Sequence, residues 1–159
     1  MIVYSRNKLI HGDLVTKKEV RINIWLRMQP SPDYLHLLNA DVLFLHSGPP
    51  KSLKYNEFFF PVQRILGFHL APPAEEPLDY DPEEANRDML DVDIILGAFV
   101  LKGRMRAPSH SDLTSLLERS HTNWFSVYDA DISNLFLPQM PPIHVSMLLV
   151  NPTQVSFGL

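Results

Sequence analysis

Cysteine is missing altogether. Without it there is no disulfide framework, thiolate zinc site, iron–sulfur cluster or cysteine nucleophile. A cysteine-free chain also fits a reducing compartment. Glycine is scarce: 6 residues, scattered along 159. Neither a G-x-x-x-x-G-K-[ST] loop nor a G-x-G-x-x-G turn can be written with them, which excludes phosphate cradles of those two kinds. No apolar run approaches the ~18 residues that a membrane-crossing helix requires. The opening MIVYSRNKLIHGDLV alternates apolar and polar residues, where a secretory signal would carry a continuous apolar block. The expectation is a soluble, cytoplasmic protein with no membrane partner.

Proline, by contrast, is abundant. The 14 prolines amount to about 9% of the chain, against a usual ~5%. Proline breaks helix interiors and central strands, so frequent proline implies short elements and many turns. The chain is 45% hydrophobic and 20% charged, ordinary for a globular protein of a size that buries a core without staples.

Charge is unevenly placed. The segment APPAEEPLDYDPEEANRDMLD, residues 71–91, holds eight of the 18 acids, one of the 14 bases and four prolines. The rest of the chain is slightly basic, so the net charge of −4 originates here. Such a run reads as a solvated linker. Its second half, DPEEANRDML, has an N-cap at Asp81 and Pro82 at the first helical position, the start of one or two helical turns. A chain lacking 71–91 is expected to fold.

On either side lie segments of similar order. The first half has VRINIWLRM, with Val20, Ile22, Ile24 and Leu26 at period two and Trp25 the exception; this reads as a strand. SPDYLHLLN follows, with Ser31 or Asp33 as cap and Tyr34, Leu37 and Leu38 at helical spacing. Then come the strand around Leu43 and Leu45 and the closing run NEFFFPVQRILGFHL. The second half has the strand AFVLKGRMR and the helix SHSDLTSLLE. In that helix Ser109 or Ser111 is the cap and Leu113, Leu116 and Leu117 face inward. The strand TNWFSVYDA and two strands around Asn151-Pro152 complete it. Arg27-Met28 corresponds to Arg104-Met105, Asp33-Tyr34 to Asp112-Leu113, and Leu37-Leu38 to Leu116-Leu117. Leu43 and Leu45 correspond to Phe125 and Val127, and Phe60–Ile65 to Val150–Val155. LIHGDLVTKKEVRINIW reads as a hairpin turning at Thr16 to Lys18. The expected fold is mainly β: two similar small β-barrel or sandwich halves, 1–70 and 92–159, a pseudo-duplication with one short helix each, joined by the acidic proline-rich segment 71–91.

The run Asp33, Tyr34, Leu35, Leu38, Asn39, placed before a Phe-bearing strand, resembles an uncharacterised bacterial family of small β-barrel domains. In that family a short helix with a D-Y-L-N-like signature sits between strands. The chain departs from it at Glu118, which stands where the second half would carry the Asn. The resemblance implies a fold and lends no reaction.

No set of residue types converges on catalysis. His110, Asp112 and His121 flank one helix at opposite ends, without the H-x-x-x-H face that would share a metal. Asp33, His36, His46 and Ser47 can be drawn as a triad, but no G-x-S-x-G elbow supports it. The acids of 71–91 are too many and too solvated to hold the fixed separation of paired catalytic carboxylates. No catalytic residue, cofactor or metal ligand is therefore assigned. Two surfaces remain. Phe58, Phe59 and Phe60 are successive aromatics whose directions alternate in a strand, so Phe59 points away from the other two. They form a core or an interface for a protein partner or for self-association. Lys102, Arg104 and Arg106 alternate on one strand with Trp124 near in sequence, a candidate face for single-stranded nucleic acid. The reading is a non-enzymatic interaction, assembly or regulatory module. A weak single-strand nucleic-acid binder is the first alternative and a small-ligand-binding barrel the second.

Overall fold

The computed structural model describes residues 1–16, 21–27, 31–45, 49–71, 74, 77–119, 122–137 and 139–159. In chain order the elements are β1 (Ile2–Ser5), β2 (Lys8–Leu14), α1 (Ile22–Arg27), β3 (Tyr34–Phe44), β4 (Lys51–Pro61) and β5 (Gly67–His69), then β6 (Arg87–Leu96), β7 (Phe99–Pro108), α2 (Leu113–Arg119), β8 (Phe125–Asn134), β9 (Ile143–Val150) and β10 (Ser156–Gly158). A 3₁₀ turn, Val62–Arg64, joins β4 to β5. Among these residues no helix is long and apolar enough to cross a membrane.

The two expected barrels are instead one antiparallel sheet of ten strands that does not close, in the order β10-β6-β7-β8-β9-β5-β1-β2-β3-β4. The order has an internal regularity. Each run of elements, β1 to β5 and β6 to β10, is two strands, a helix and three strands. In each, the fifth strand pairs with the first, and the first to fourth follow in sequence. Between the runs, β9 pairs with β5, through Gly67↔Val150 and Phe68↔Leu149.

Each run bends at a bulge. Gly12 on β2 stands opposite both Asn39 and Ala40 of β3, and Gly103 on β7 opposite both Asp129 and Ala130 of β8. Asn39 and Asp129 take left-handed backbone, φ 51° and 46°, a conformation Asn and Asp tolerate best among residues with side chains. The glycines allow the close approach: a Cβ on Gly103 would lie 2.8 Å from Val127 Cγ1, and one on Gly12 3.0 Å from the Leu38 carbonyl oxygen.

Two apolar cores result. One gathers Val3, Ile10, Leu26, Leu35, Leu37, Val42, Phe60 and Phe68. The other gathers Ile94, Leu96, Phe99, Leu101, Phe125, Val127, Ile132 and Val150. At the β9–β5–β1 junction the strands serve both, because successive side chains point to opposite faces. Val3 and Leu149 enter the first core, Tyr4 and Leu148 the second.

Several sequence expectations give way. Tyr34–Asn39 is not a helix but the start of β3. Of the stripe a helix would bury (Tyr34, Leu37 and Leu38), Tyr34 and Leu38 are exposed, while Leu37 is buried together with Leu35 at period two. Pairing β3 to β4 from Tyr34↔Pro61 to Phe44↔Lys51 outweighs a two-turn helix with no stability of its own. VRINIWLRM is not a strand: Ile22–Arg27 is α1. Ile22, Trp25 and Leu26 turn inward at i, i+3 and i+4, while Ile24 is exposed; Val20 lies outside the described residues. The first hairpin turns at Arg6-Asn7, since Ser5 pairs with Lys8. Of the hairpin expected at Thr16 to Lys18, residues 17–20 lie outside the described residues, and Ile22–Arg27 of its expected second arm is α1. In the second half, β7, α2, β8 and the two strands around Asn151-Pro152 lie where expected, though Asp112 caps α2 in place of Ser109 or Ser111: its Oδ1 accepts the Ser115 N–H at 2.7 Å. After Asp81 the chain makes a single turn, with the Glu83 N–H on Asp81 Oδ1 at 3.0 Å, and is extended from Arg87 onward.

Candidate functional site

The β9–β5 junction concentrates the packing. Asn151 donates its backbone N–H to the Leu66 carbonyl at 2.8 Å, extending the short ladder by one bond. On one face Trp124 and Leu149 are sealed, at 3% and 2% exposure. Phe68 meets the Trp124 ring edge-to-face at 5.1 Å. On the other face Tyr4 packs edge-to-face on Phe99 at 4.9 Å. The buried Tyr4 hydroxyl lies 3.0 Å from His69 Nε2, and His69 Nδ1 lies 2.7 Å from the Leu70 carbonyl. A carbonyl can only accept, so Nδ1 carries the proton and Nε2 accepts from Tyr4. Burial pushes the His69 pKa below 6.5 and the Tyr4 pKa up. The pair is a satisfied internal contact: the recess beside His69 holds about 10 Å³, too small for a substrate.

The acidic segment bridges the two runs of elements at another point. Asp79 accepts hydrogen bonds from Arg27 (2.8 Å), Ser126 (2.6 Å) and Tyr128 (2.5 Å), which ties α1 to β8. Burial raises the Asp79 pKa, but the three donors more than offset it, and the group lies below its ordinary 3.8. Tyr80 stacks edge-to-face on Tyr128 at 4.8 Å and lies under the Arg106 guanidinium at 4.6 Å. Asp79 gave no sequence signal beyond an acid in an acidic run; only its distant donors, 47 to 52 residues away in sequence, distinguish it.

That segment also answers where the basic strand points. Arg106 is held by Glu84 Oε2 at 2.6 Å and the Asp81 carbonyl at 3.0 Å. Arg104 pairs with Asp129, and Lys102 lies 3.6 Å from Asp93. The three cations share one face, each already on an anion. Trp124 sits apart from them, buried under Phe68. Of the histidines considered for chemistry, His46 and His121 lie outside the described residues, as does Ser47. Among the described residues no group of three or more His, Asp or Glu side chains is placed to share a metal.

Beside the junction lies an open cleft of about 480 Å³. Asp33, Tyr34 and Gln63 line it from one side, Asn123, Trp124 and Thr153 from the other.

The three phenylalanines split as their alternation requires. Phe60 is in the core, Phe58 is half-buried against it, and Phe59 stands outward at 55% exposure. Phe59 stacks on His36, ring centroids 4.4 Å apart. With Tyr34 (56% exposed) and Leu38 it makes an apolar face along β3 and β4. That face runs to the sheet's edge, where, among the described residues, β4 has no further strand beside it. The opposite edge is β10, with Ile95 of β6 exposed next to it.

No family model, curated protein or solved structure matches this chain.

Proposed function

We propose that the protein is a non-enzymatic interaction module, internally duplicated, that works by associating with protein through its sheet edge. One observation carries the reading: an edge strand flanked by the outward Tyr34, Leu38 and Phe59. An edge of this kind is a template for strand addition, and proteins normally blunt theirs with charge, proline or a covering element. β4 carries Lys51 and Lys54 at one end and Pro61 at the other, but the stretch around Phe59 has no charge of its own apart from Glu57.

Support for duplication comes from the matched strand order and from the bulges. Asn39-Ala40-Asp41-Val42 and Asp129-Ala130-Asp131-Ile132 occupy the same place in the two runs, each opposite a glycine. The side chains bridging the bulges match as well, Asn39 to Asp13 and Asp129 to Arg104. On this alignment Phe60–Ile65 answers to Val150–Val155. Four other correspondences change. Asp33-Tyr34 answers to Asn123-Trp124 and not to Asp112-Leu113, and Leu37-Leu38 to Val127-Tyr128 and not to Leu116-Leu117. Phe125 and Val127 answer to Leu35 and Leu37 and not to Leu43 and Leu45, and Arg104-Met105 to Asp13-Leu14 and not to Arg27-Met28. The resemblance to an uncharacterised bacterial β-barrel family and a cytoplasmic location belong to the same proposal.

A photo-crosslinking residue in place of Phe59, in cells that make the protein, tests it. The expected result is a protein adduct that the same group at exposed Glu118 does not give. No protein adduct at 59 overturns the reading. Filter binding of a single-stranded oligonucleotide at two salt concentrations addresses the rival. Binding that falls steeply with salt would bring Lys102, Arg104 and Arg106 forward; their existing ion pairs argue for none. The small-ligand alternative would place its ligand in an open surface cleft such as the one beside the junction, since the ten-stranded sheet does not close into a barrel.

A further inference from the structure

We infer that the partner is a second copy of this chain, joined head to tail: the β10 edge of one copy adds to the β4 edge of the next in the register that β5 adopts on β9. This rests on the interaction reading above and names its partner.

The register follows from the strand pairings. Counting from the bulges, Leu35 and Phe125 are equivalent, each four residues before the left-handed Asn39 or Asp129. Leu35 pairs with Phe60 and Phe125 with Val150. Phe60 and Phe59 therefore stand where Val150 and Leu149 stand. On the other side, Ser5↔Lys8 and Leu96↔Phe99 close equivalent hairpins, which makes Tyr4 equivalent to Ile95. Tyr4 pairs with Gly67 and Ile95 with Ser156. Ser156 and Phe157 therefore stand where Gly67 and Phe68 stand. The internal contacts Gly67↔Val150 and Phe68↔Leu149 translate to Ser156↔Phe60 and Phe157↔Phe59 between copies.

Burial agrees with the translation. Trp124 and Leu149 are the residues the junction seals, and their equivalents are Tyr34 and Phe59, the most exposed aromatics of the β3–β4 face. The ring that seals Trp124 is Phe68; its equivalent, Phe157, is half-buried at the opposite edge, beside exposed Ile95. Each end of the sheet thus presents one half of a contact that its middle already contains. One bond does not translate: the Asn151 N–H to Leu66 O bond has its equivalent at Pro61, which has no N–H. The joint between copies is held by the backbone of Phe59 and by aromatic burial. Because the two surfaces differ, the contact is heterologous and each copy retains one free edge after pairing, which leads to a ring or an open chain.

Sedimentation velocity of the purified chain, from micromolar to near-millimolar, reads this directly. The expected wild-type result is a mass that rises with concentration. Phe59→Lys and Ile95→Lys, both at exposed positions, are each expected to weaken association about thirtyfold, the size typical of an interfacial anchor, with an unchanged cooperative melt. Phe157→Lys is a third variant, read only if its melt is intact. Mixing Phe59→Lys with Ile95→Lys brings one intact β10 edge to one intact β4 edge, so a dimer that neither variant forms alone is expected. A wild-type chain that stays monomeric throughout overturns the inference, as does association that Ile95→Lys leaves untouched, which would mean β4 against β4. A monomeric chain whose position 59 still crosslinks another protein leaves the interaction reading standing and removes this one.

Discussion

Replacing Asp79 by alanine puts the role of the acidic segment to a quantitative test. Its backbone is exposed, but its side chain keeps only 15% of its accessibility and accepts from a guanidinium and two hydroxyls. A hydrogen bond to a charged group contributes about 1.5–3 kcal/mol. The three do not add, because they share one acceptor and partial exposure screens them. We therefore expect Asp79→Ala to cost about 2–3 kcal/mol, or about 5–10 °C in Tm for a chain of this size. The loss should depend on pH. The folded carboxyl lies below its ordinary 3.8, so its contribution is complete above that value and fades as pH falls below it. Urea denaturation of wild type and variant at neutral pH and below pH 3.8 provides both numbers. A difference under about 0.5 kcal/mol at neutral pH, the range of an ordinary surface change, or a difference that does not narrow in acid, refutes the clamp.

The Tyr4–His69 pair makes a second pH-linked prediction. Burial holds His69 below 6.5, so the unfolded chain takes up the proton first. Stability should be full above pH 6.5 and decline below it; a His69→Leu variant that keeps the same acid slope would contradict this. Tyr4→Phe leaves His69 Nε2 without its donor and should cost about 1–3 kcal/mol, visible as a lower urea midpoint at an unchanged slope. Gly103→Val places a Cβ 2.8 Å from Val127 Cγ1 and should cost about 1–3 kcal/mol by overpacking; a neutral melt would mean the bulge is not as tight as described.

Legibility in the sequence followed how far local pattern and long-range pairing agreed. In β7 the buried Phe99, Leu101, Met105 and Ala107 alternate with less buried residues, Lys102, Arg104 and Arg106 among them. In α2 Leu113, Leu116 and Leu117 recur at helical spacing, although the cap is Asp112 and not Ser109 or Ser111. Both read correctly because neighbours along the chain settle the matter. In the first half the cues conflicted. Ile22, Ile24 and Leu26 fit a strand, and only Trp25 broke the alternation. It turned out to be the informative residue, since helical spacing pairs it with Ile22. Tyr34, Leu37 and Leu38 fit a helix, but the same stretch alternates Leu35 and Leu37, and the β4 ladder decides in favour of the strand. That Phe59 points opposite to Phe58 and Phe60 was legible from alternation alone, but alternation did not tell which side faces outward. The acidic segment was misread as a bystander because composition describes its average, while Asp79, Tyr80 and Glu84 act through partners far away in sequence.

Amide hydrogen exchange along β4, followed against protein concentration, tests the central claim most directly. If copies join edge to edge, protection of the Phe59 amide rises with concentration while the buried amides of β1 keep the same protection throughout. If Phe59 exchanges equally fast at every concentration, the open edge is not where this protein meets its own kind.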